Sequence, residues 1–142
     1  MSCKIYLSGG ITGLSDIEQK RWRKDVIHGF KLFVNPKEVD IFDPTDYDYS
    51  DVSDDTLERE RFAMQNDLRH LYDSNVVICN ISSNPFSVGT NMELGIAFKL
   101  DIPIIFYNPT DVELHPWHHL MCEAAVNDIE DLVEFVKEYY IR

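Results

Sequence analysis

The sequence has 142 residues, with 13 basic and 25 acidic side chains and a formal net charge of −12. That length fits one domain, spanning 1–142, and the 44% apolar and 12% aromatic content can supply a buried core. The excess of negative charge disfavours polyanionic partners, so we expect neither nucleic acid nor a membrane surface as a partner. A small anion in a local pocket is still compatible with this charge.

Cysteine usage indicates a reducing compartment, and hydropathy indicates a protein that does not span a membrane. The three cysteines, Cys3, Cys79 and Cys122, lie far apart and form no CxxC pair. The chain opens on a strand-like segment without the regions of a signal peptide, and no apolar run approaches about 18 residues. We therefore expect a cytoplasmic protein that is not secreted and does not span a membrane.

Strand-like and helical segments alternate along the chain. In order, the patterns predict a strand at 3–8, a helix from 15 or 16 through 30, a strand at 31–35, a helix from 53–55 through 71, a strand at 75–81, a helix at 90–100, a strand at 102–107, a short helix at 118–125 and a helix from 128 to about 140. Such alternation is typical of right-handed βαβ units. It predicts an α/β fold in which helices cover both faces of a parallel sheet.

Residues 37–60 differ in composition from the rest, because they hold ten of the 25 acidic residues. We expect a long solvated loop there. The segment starting at Asp46 does not match the pattern of a calcium-binding loop, since its sixth position is Asp51 instead of glycine and its twelfth is Leu57 instead of glutamate.

A glycine-rich turn follows the first predicted strand, with Gly9, Gly10 and Gly13 after Ser8. Glycines let a backbone approach a ligand closely, and amides at a helix start can hold an anion. The turn does not match GxGxxG and lacks the lysine of a phosphate-binding P-loop. Two interpretations stay open: a ligand cradle, or a strand-to-helix loop that needs positive φ angles.

A carboxylate lies near the start of the third helix, in the segment Ser87-Val-Gly89-Thr90-Asn-Met-Glu93-Leu-Gly95. The spacing of Thr90 and Glu93 fits a capping box, in which Glu93 would reach back to the amide of Thr90. It equally places Glu93 near a helix N-terminus, which favours the ionised form that a nucleophile requires. Spacing alone leaves both interpretations open.

Asp67 lies late in the second predicted helix, next to Asn66. In an acidic protein such a residue is ordinarily a solvated surface charge. Because Leu68 and Leu71 mark the buried face nearby, however, Asp67 can lean over the sheet edge towards Glu93. Two carboxylates across a small pocket suffice for glycosyl transfer, with one as nucleophile and the other handling the proton of the leaving group.

The segment His115-Pro-Trp-His118-His119 suggests zinc at first sight. No cysteine or carboxylate lies at a useful ligand spacing, and adjacent histidines rarely share a metal. A surface helix start, or a contact with substrate or with another subunit, explains these histidines without a metal. We therefore expect no metal site.

Four segments span nearly the whole chain in order: Lys4-Ile-Tyr6-Leu-Ser8-Gly9, Asn66-Asp67-Leu68, Gly89-Thr90-x-x-Glu93-Leu-Gly95-x-Ala97 and Ile102-Pro-Ile104. This set resembles the nucleoside 2-deoxyribosyltransferase family. The resemblance implies a flavodoxin-like parallel sheet of about four to five strands, in an oligomer whose active sites a neighbouring subunit completes. It also implies Glu93 as nucleophile, Asp67 as the residue serving the departing base, and Tyr6 as the partner that positions Glu93.

The same resemblance implies which residues contact the substrate. They are Ser8, Gly9, Gly10, Asn66, Ser87, Gly89 and His119. At the position of Ser87 the transferases usually carry an aspartate, whereas the related deoxynucleoside 5′-monophosphate N-hydrolases carry a serine that contacts phosphate. Gly10 replaces another phosphate-binding serine of those hydrolases, and His119 aligns with a partner-subunit residue at the 5′ end. The 5′ group of the substrate is therefore left open.

The leading hypothesis is an enzyme that cleaves the N-glycosidic bond of 2′-deoxynucleosides and transfers the sugar to another nucleobase through a covalent deoxyribosyl-Glu93 intermediate. One alternative is a 5′-monophosphate N-glycosidase that hydrolyses the same bond. Another is a non-catalytic nucleotide-binding or sensor domain on the same fold, although such a module needs no nucleophile. Expected partners are a nucleoside or nucleotide, a free nucleobase and further copies of the chain in a homodimer or larger homo-oligomer. No cofactor is expected.

Overall fold

A computed structural model describes residues 2–11, 13–82 and 87–141, and five strands within them form one sheet. The strands are β1 (Cys3–Ser8), β2 (Val39–Phe42), β3 (Val76–Asn80), β4 (Ile104–Tyr107) and β5 (Ala124–Val126). The helices are α1 (Asp16–Phe33), α2 (Thr56–Tyr72), α3 (Val88–Lys99), α4 (Pro116–Met121) and α5 (Ile129–Tyr140), with a 3₁₀ turn at Pro44–Asp46. The strand order is β2-β1-β3-β4-β5, and all neighbouring strands are parallel. This is the flavodoxin-like arrangement, so the predicted fold class is confirmed.

Helices cover both faces of the sheet. On one face lie α1 and α5, which contribute Val26, Phe30 and Leu132 to the core. On the other lie α2 and α3, which contribute Leu71 and Leu94. The central strands β3 and β4 are buried along their whole length, as their nearly continuous apolar sequence requires.

The strand predicted at 31–35 is wrong, because α1 continues to Phe33. Its apolar face keeps a helical spacing through Val26 and Phe30, and Phe33 points into solvent. The helix ends just before Pro36, which disfavours helical geometry in the residue that precedes it. The second strand is β2, a short edge strand inside the segment predicted to be a solvated loop.

The helix predicted at 118–125 is correct only in its first half. Helix α4 ends at Met121, and Ala124 begins strand β5. Alanine favours helix, but pairing of Ala124 and Val126 with β4 overrides that local preference. The third helix also begins earlier than predicted, at Val88 instead of Thr90.

The topology determines where a ligand can bind. Strand order reverses between β1 and β3, because the chain passes from β1 outward to β2 and then returns to the other side of β1. Open parallel sheets bind ligands beyond the carboxyl ends of the strands at such a reversal. Here that place is bordered by Ser8, at the end of β1, and by the start of α3. Within the part of the chain that the structure describes, no helix has the length and apolar character to cross a membrane.

Candidate active site

A cavity of about 650 Å³ opens beyond the carboxyl ends of β1 and β3. Its walls come from α1, from the residues that follow β2, from α2 and from the start of α3. The lining residues that bear on catalysis or ligand binding are Gly9, Arg23, Tyr47, Tyr49, Asp67, Ser87, Gly89 and Glu93. The two carboxylates that the sequence singles out, Asp67 and Glu93, therefore face the same space.

Glu93 is held by hydroxyl groups from β1. The hydroxyl of Tyr6 donates a hydrogen bond to Oε2, and the hydroxyl of Ser8 donates one to Oε1 at 3.0 Å. Tyr6 is fully buried and stacks on Phe42, with ring centroids 5.3 Å apart. Because both oxygens of Glu93 have a donor fixed to the sheet, the carboxylate has a defined position at the floor of the cavity.

The capping-box interpretation of Glu93 does not hold. Ser87 is the N-cap of α3, and its hydroxyl accepts a hydrogen bond from the amide of Thr90 at 3.5 Å. Glu93 therefore lies in the second turn of the helix and bonds to β1 instead of to its own helix start. Its side chain is available for chemistry in the cavity.

Opposing effects act on the charge of Glu93. Burial raises the pKa of the carboxyl, while the hydrogen bonds from Tyr6 and Ser8 and the positive charge of Arg23 lower it. Burial and the neighbouring Glu93 charge also raise the pKa of Tyr6, so its phenol stays protonated and remains a donor. Burial is the largest of these influences, so the pKa of Glu93 is raised overall, and the donors and Arg23 limit that rise by favouring the ionised carboxylate.

Asp67 has a different environment on α2. Its Oδ1 is buried and has no hydrogen-bond partner among the described residues. Burial, followed by repulsion from Glu93, raises the pKa of Asp67 to about 7. A carboxyl with this pKa holds a proton for much of the time near neutral pH and can deliver it to a leaving group.

Arg23 lies outside the motifs that resemble the family, so the sequence alone did not single it out. It is fully buried on the inner face of α1 and reaches the cavity beside Gly9. Helical spacing offers a signal: Arg23 precedes Val26 by three residues and Phe30 by seven, which places a charge on the apolar face. A charge in such a position needs a partner, and here the ion-pair partner is Asp43, at 3.6 Å.

Comparison with known proteins agrees with this geometry. A model of the nucleoside 2-deoxyribosyltransferase family matches residues 5–133, which include Tyr6, Asp67 and Glu93. The chain belongs to this family. It is accordingly an enzyme of the nucleoside 2-deoxyribosyltransferase type, a family whose substrates are nucleosides and nucleobases.

Solved structures show the same fold. The chain is similar to the 2-deoxyribosyltransferase from the psychrotolerant bacterium Bacillus psychrosaccharolyticus, with 21% identity, a TM-score of 0.75 and coverage of 92% of this chain and 90% of that chain. It is also similar to a conserved protein from Enterococcus faecalis V583, with 16% identity, a TM-score of 0.68 and coverage of 97% and 99%. A search of curated proteins gave no match.

The remaining predicted substrate-binding residues of this deoxyribosyltransferase-family enzyme fall into two groups. Ser87, Gly89 and Gly9 line the cavity, and Ser8 lies directly behind Glu93. Gly10, Asn66 and His119 are not among the lining residues. Substrate contact stays a prediction for all seven residues.

Two of the residues outside the lining have a visible place in the fold. Asn66 donates a hydrogen bond to the hydroxyl of Tyr49 at 2.8 Å, so it orients an aromatic wall of the cavity. His119 lies exposed on α4. That exposure is compatible with the prediction that His119 serves the site of a neighbouring subunit.

The glycine-rich turn combines the two interpretations that the sequence left open. Gly13 has a φ of +83°, a left-handed conformation that favours glycine. At Gly9 the reason is space, because a Cβ atom would lie 2.7 Å from Cζ2 of Trp22. Gly9 also lines the cavity. Thr12, in the same turn, lies outside the described residues.

The histidine segment has a structural role. His118 is buried and its Nε2 lies 2.6 Å from Oδ1 of Asn91, while His115 caps the start of α4 by accepting a bond from the amide of Trp117. Among residues 2–11, 13–82 and 87–141, no three His, Cys, Asp or Glu side chains come together as possible metal ligands.

Negative charge dominates the described cavity wall. Six carboxylates line it, against two cationic side chains, Lys20 and Arg23. Besides Asp67 and Glu93, the carboxylates are Asp16, Asp46, Asp48 and Glu60. Lys20 is paired with Asp16 at 3.5 Å, and Arg23 with Asp43, so the cavity offers little uncompensated positive charge.

Proposed function

We propose that this enzyme cleaves the N-glycosidic bond of 2′-deoxynucleosides through a covalent deoxyribosyl intermediate on Glu93, and transfers the sugar to a second nucleobase. The observation that carries the proposal is the setting of Glu93, a cavity carboxylate with a hydroxyl donor on each oxygen. A non-catalytic sensor would have no use for a buried carboxylate prepared in this way, because burial of the charge destabilises the fold.

In the first half-reaction, an oxygen of Glu93 attacks C1′ of the sugar and forms a C1′–O bond. The bond between C1′ and the base nitrogen breaks, and its electron pair leaves with the base. Asp67 donates its proton to the departing base and becomes a carboxylate. A 2-deoxyribosyl centre lacks the electron-withdrawing 2′-hydroxyl, so its oxocarbenium-like transition state is accessible to a single well-placed carboxylate.

In the second half-reaction, a nitrogen of the incoming base attacks C1′, and the C1′–O bond to Glu93 breaks. Asp67 accepts the proton of the incoming base, which restores both carboxyl groups to their starting states. Two successive displacements at C1′ retain the configuration of the glycosidic bond. Water attacking in the same way would give hydrolysis, the alternative outcome.

The charge of the cavity favours a substrate with a free 5′-hydroxyl. The surplus carboxylates repel a phosphate dianion, and Lys20 and Arg23 attract it little because each is paired with a carboxylate. Against this stands the start of α3, where Ser87 and Gly89 face the cavity and helix amides can bind an anion. The monophosphate N-glycosidase therefore remains the second candidate.

We further propose that the enzyme is a homo-oligomer. Apolar side chains are exposed on α3 and α4: Val88 is 76% exposed, Met92 60%, Trp117 74% and Leu120 77%. The two helices are in contact through Asn91 and His118, and large exposed apolar groups on adjacent elements commonly mark an interface between subunits. Light scattering after gel filtration tests this, and a monomer at micromolar concentration contradicts it.

The experiment that tests the activity is base exchange. The enzyme is incubated with a deoxynucleoside, with and without a second free base, and the products are separated by chromatography. We expect a new deoxynucleoside only when the second base is present. Free deoxyribose at the same rate with or without the second base assigns the enzyme to the hydrolases, and no cleavage of nucleosides or of their 5′-monophosphates contradicts the proposal. Glu60→Gln, which removes an exposed cavity carboxylate, is the matched control for Glu93→Gln.

A further inference from the structure

Arg23 is the largest fully buried side chain of the described residues. Burying a guanidinium costs several kcal/mol unless hydrogen bonds and a counter-ion compensate. Its Nη1 donates to the carbonyl of Gln19 at 2.6 Å and its Nη2 to the carbonyl of Gly9 at 3.1 Å. Its Nε lies 3.6 Å from Oδ1 of Asp43, which is also buried.

This ion pair is not optimised for stability. Nε of Arg23 and Oδ2 of Asp43 have no hydrogen-bond partner among the described residues. The Oδ1 of Asp43 instead accepts bonds from the amide and hydroxyl of Thr45, at 2.8 and 2.6 Å. Two buried charges with unsatisfied atoms are weak evidence of a stabilising role, because an apolar pair of similar volume is often as stable.

Two partners of Arg23, Gly9 and Asp43, directly follow in the chain a residue that holds Glu93 or supports one of its donors. Gly9, whose carbonyl binds Arg23, directly follows Ser8, whose hydroxyl binds Glu93. On the other side, Asp43 directly follows Phe42, which stacks on the second donor, Tyr6. The guanidinium thus joins the carboxyl ends of β1 and β2 at the positions where their side chains support the nucleophile.

We propose that Arg23 is a positioning residue for deoxyribosyl transfer: it fixes both hydroxyl donors against Glu93 and supplies positive charge on that side of the cavity. The inference rests on the proposed function of Glu93. Glycine at residue 9 leaves room for Trp22, whose ring lies against the guanidinium, since a Cβ there would lie 2.7 Å from Cζ2 of Trp22.

Several other ionisable groups surround Glu93, and their influence must be separated from that of Arg23. From the neighbouring elements these are Tyr6 of β1, Asp43 after β2, Asp67 of α2 and Cys79 of β3, while Glu60 of α2 acts on Asp67. All of them are neutral or negative, so Arg23 is the positive charge among these groups. Its charge lowers the pKa of both Glu93 and Asp67.

The test compares pH profiles of kcat/KM for base exchange in variants that remove the charge of Asp43 alone, or the charges of Arg23 and Asp43 together. Removing Arg23 raises the pKa of Glu93, so the low-pH limb should move to higher pH by about one unit, with the high-pH limb moving in the same direction. Arg23→Gln is combined with Asp43→Asn, because the single variant would leave a buried unpaired carboxylate. Asp43→Asn alone is the matched control: it keeps the guanidinium without its counter-ion, so the low-pH limb should move to lower pH.

Arg23→Lys separates charge from geometry. Lysine keeps the positive charge but lacks the rigid planar fork whose two nitrogens separately reach the carbonyls of Gln19 and Gly9. The low-pH limb should stay near that of wild type, while kcat falls and KM changes little. Circular dichroism and melting temperature establish that each variant is folded before its profile is used.

Opposite limb shifts in Asp43→Asn and in the double variant support the proposal. An unchanged low-pH limb in the folded double variant overturns it. If the double variant does not fold, a low-pH limb that moves to higher pH in Asp43→Asn overturns the proposal as well. If the wild-type protein shows no base exchange, the proposed function fails. If the wild type is active and Glu93→Gln is inactive, but the limbs of the double variant do not move, only the role of Arg23 is rejected.

Discussion

The two sides of the cavity treat their carboxyl groups in opposite ways. On the β1 side, Glu93 accepts hydrogen bonds from Tyr6 and Ser8, and Arg23 contributes positive charge. On the α2 side, Asp67 has a buried oxygen without a partner, and its pKa rises to about 7. Hydroxyl donors stabilise a carboxylate, whereas burial without donors favours the neutral acid.

This difference assigns the proposed chemical roles. A nucleophile must be ionised before it attacks, while a general acid must hold a proton until the base leaves. Pairs of carboxyl groups whose surroundings push their pKa values apart commonly divide nucleophilic and acid work in this way. The donors on β1, rather than the spacing of the two carboxyls in the sequence, explain why Glu93 and Asp67 are not interchangeable.

The largest effect is expected on the β1 side, from Glu93→Gln and Glu93→Ala. The first keeps the shape and loses the charge, and the second removes the side chain, so both should lower kcat by on the order of a thousandfold or more. Circular dichroism should show a folded protein. If Glu93 had only a capping role, its loss would cost about 1 kcal/mol of stability and leave activity intact. More than a few per cent of wild-type activity in both variants therefore contradicts the assignment of Glu93 as nucleophile.

On the α2 side, Asp67→Asn should slow base departure by roughly a hundredfold while the substrate still binds. Because the protonated form of Asp67 acts as the acid, wild-type activity should fall as the pH rises through about 7, and this high-pH limb should vanish in the variant. The loss should be greatest for substrates whose base must be protonated to leave. Asp46→Asn, at an exposed cavity carboxylate, is the control, and full activity of Asp67→Asn contradicts the role of Asp67 as general acid.

Weakening the donors should make the Glu93 side resemble the Asp67 side. Tyr6→Phe keeps the stacking on Phe42 but removes one donor, which should raise the pKa of Glu93 and reduce kcat/KM at low pH by about tenfold. Ser8→Ala, which removes a bond of 3.0 Å to the other oxygen, should act in the same direction with a smaller effect. A low-pH limb that is identical in all three proteins contradicts the role given to the donors.

The smallest effects are expected at the 5′ end of the substrate. Ser87→Ala and His119→Ala should each change kcat/KM a few-fold, and the comparison of a deoxynucleoside with its 5′-monophosphate decides what they bind. If the loss is larger for the monophosphate, these residues recognise phosphate. Equal losses on both substrates show that these residues do not recognise phosphate, and they favour the transferase hypothesis in which the substrate has a free 5′-hydroxyl.

The sequence predicted much of the fold because local patterns were strong where the sheet is most buried. β1, β3 and β4 were recognisable from their apolar runs. The edge strands β2 and β5 were not, since four and three residues are too few to show a pattern, and pairing with a neighbour determines their conformation.

The site was predictable where a family motif exists. Asp67, Glu93 and Tyr6 were named through the resemblance, and the structure brings the Tyr6 hydroxyl to Glu93 and Asp67 into the same cavity. Arg23 and Asp43 were not named, because their ion pair forms only where α1 packs against the end of β2. The donor function of Ser8 is likewise a tertiary contact across 85 residues of sequence.

The central claim is the covalent bond to Glu93, and peptide mass spectrometry tests it most directly. The enzyme is incubated with a deoxynucleoside in the absence of an acceptor base, quenched with acid and digested. We predict a mass increase of one deoxyribosyl group on the peptide that contains Glu93, lost when an acceptor base is added before quenching and absent in Glu93→Gln. A deoxyribosyl group on any other residue, or base exchange at the wild-type rate in Glu93→Gln, would contradict the account.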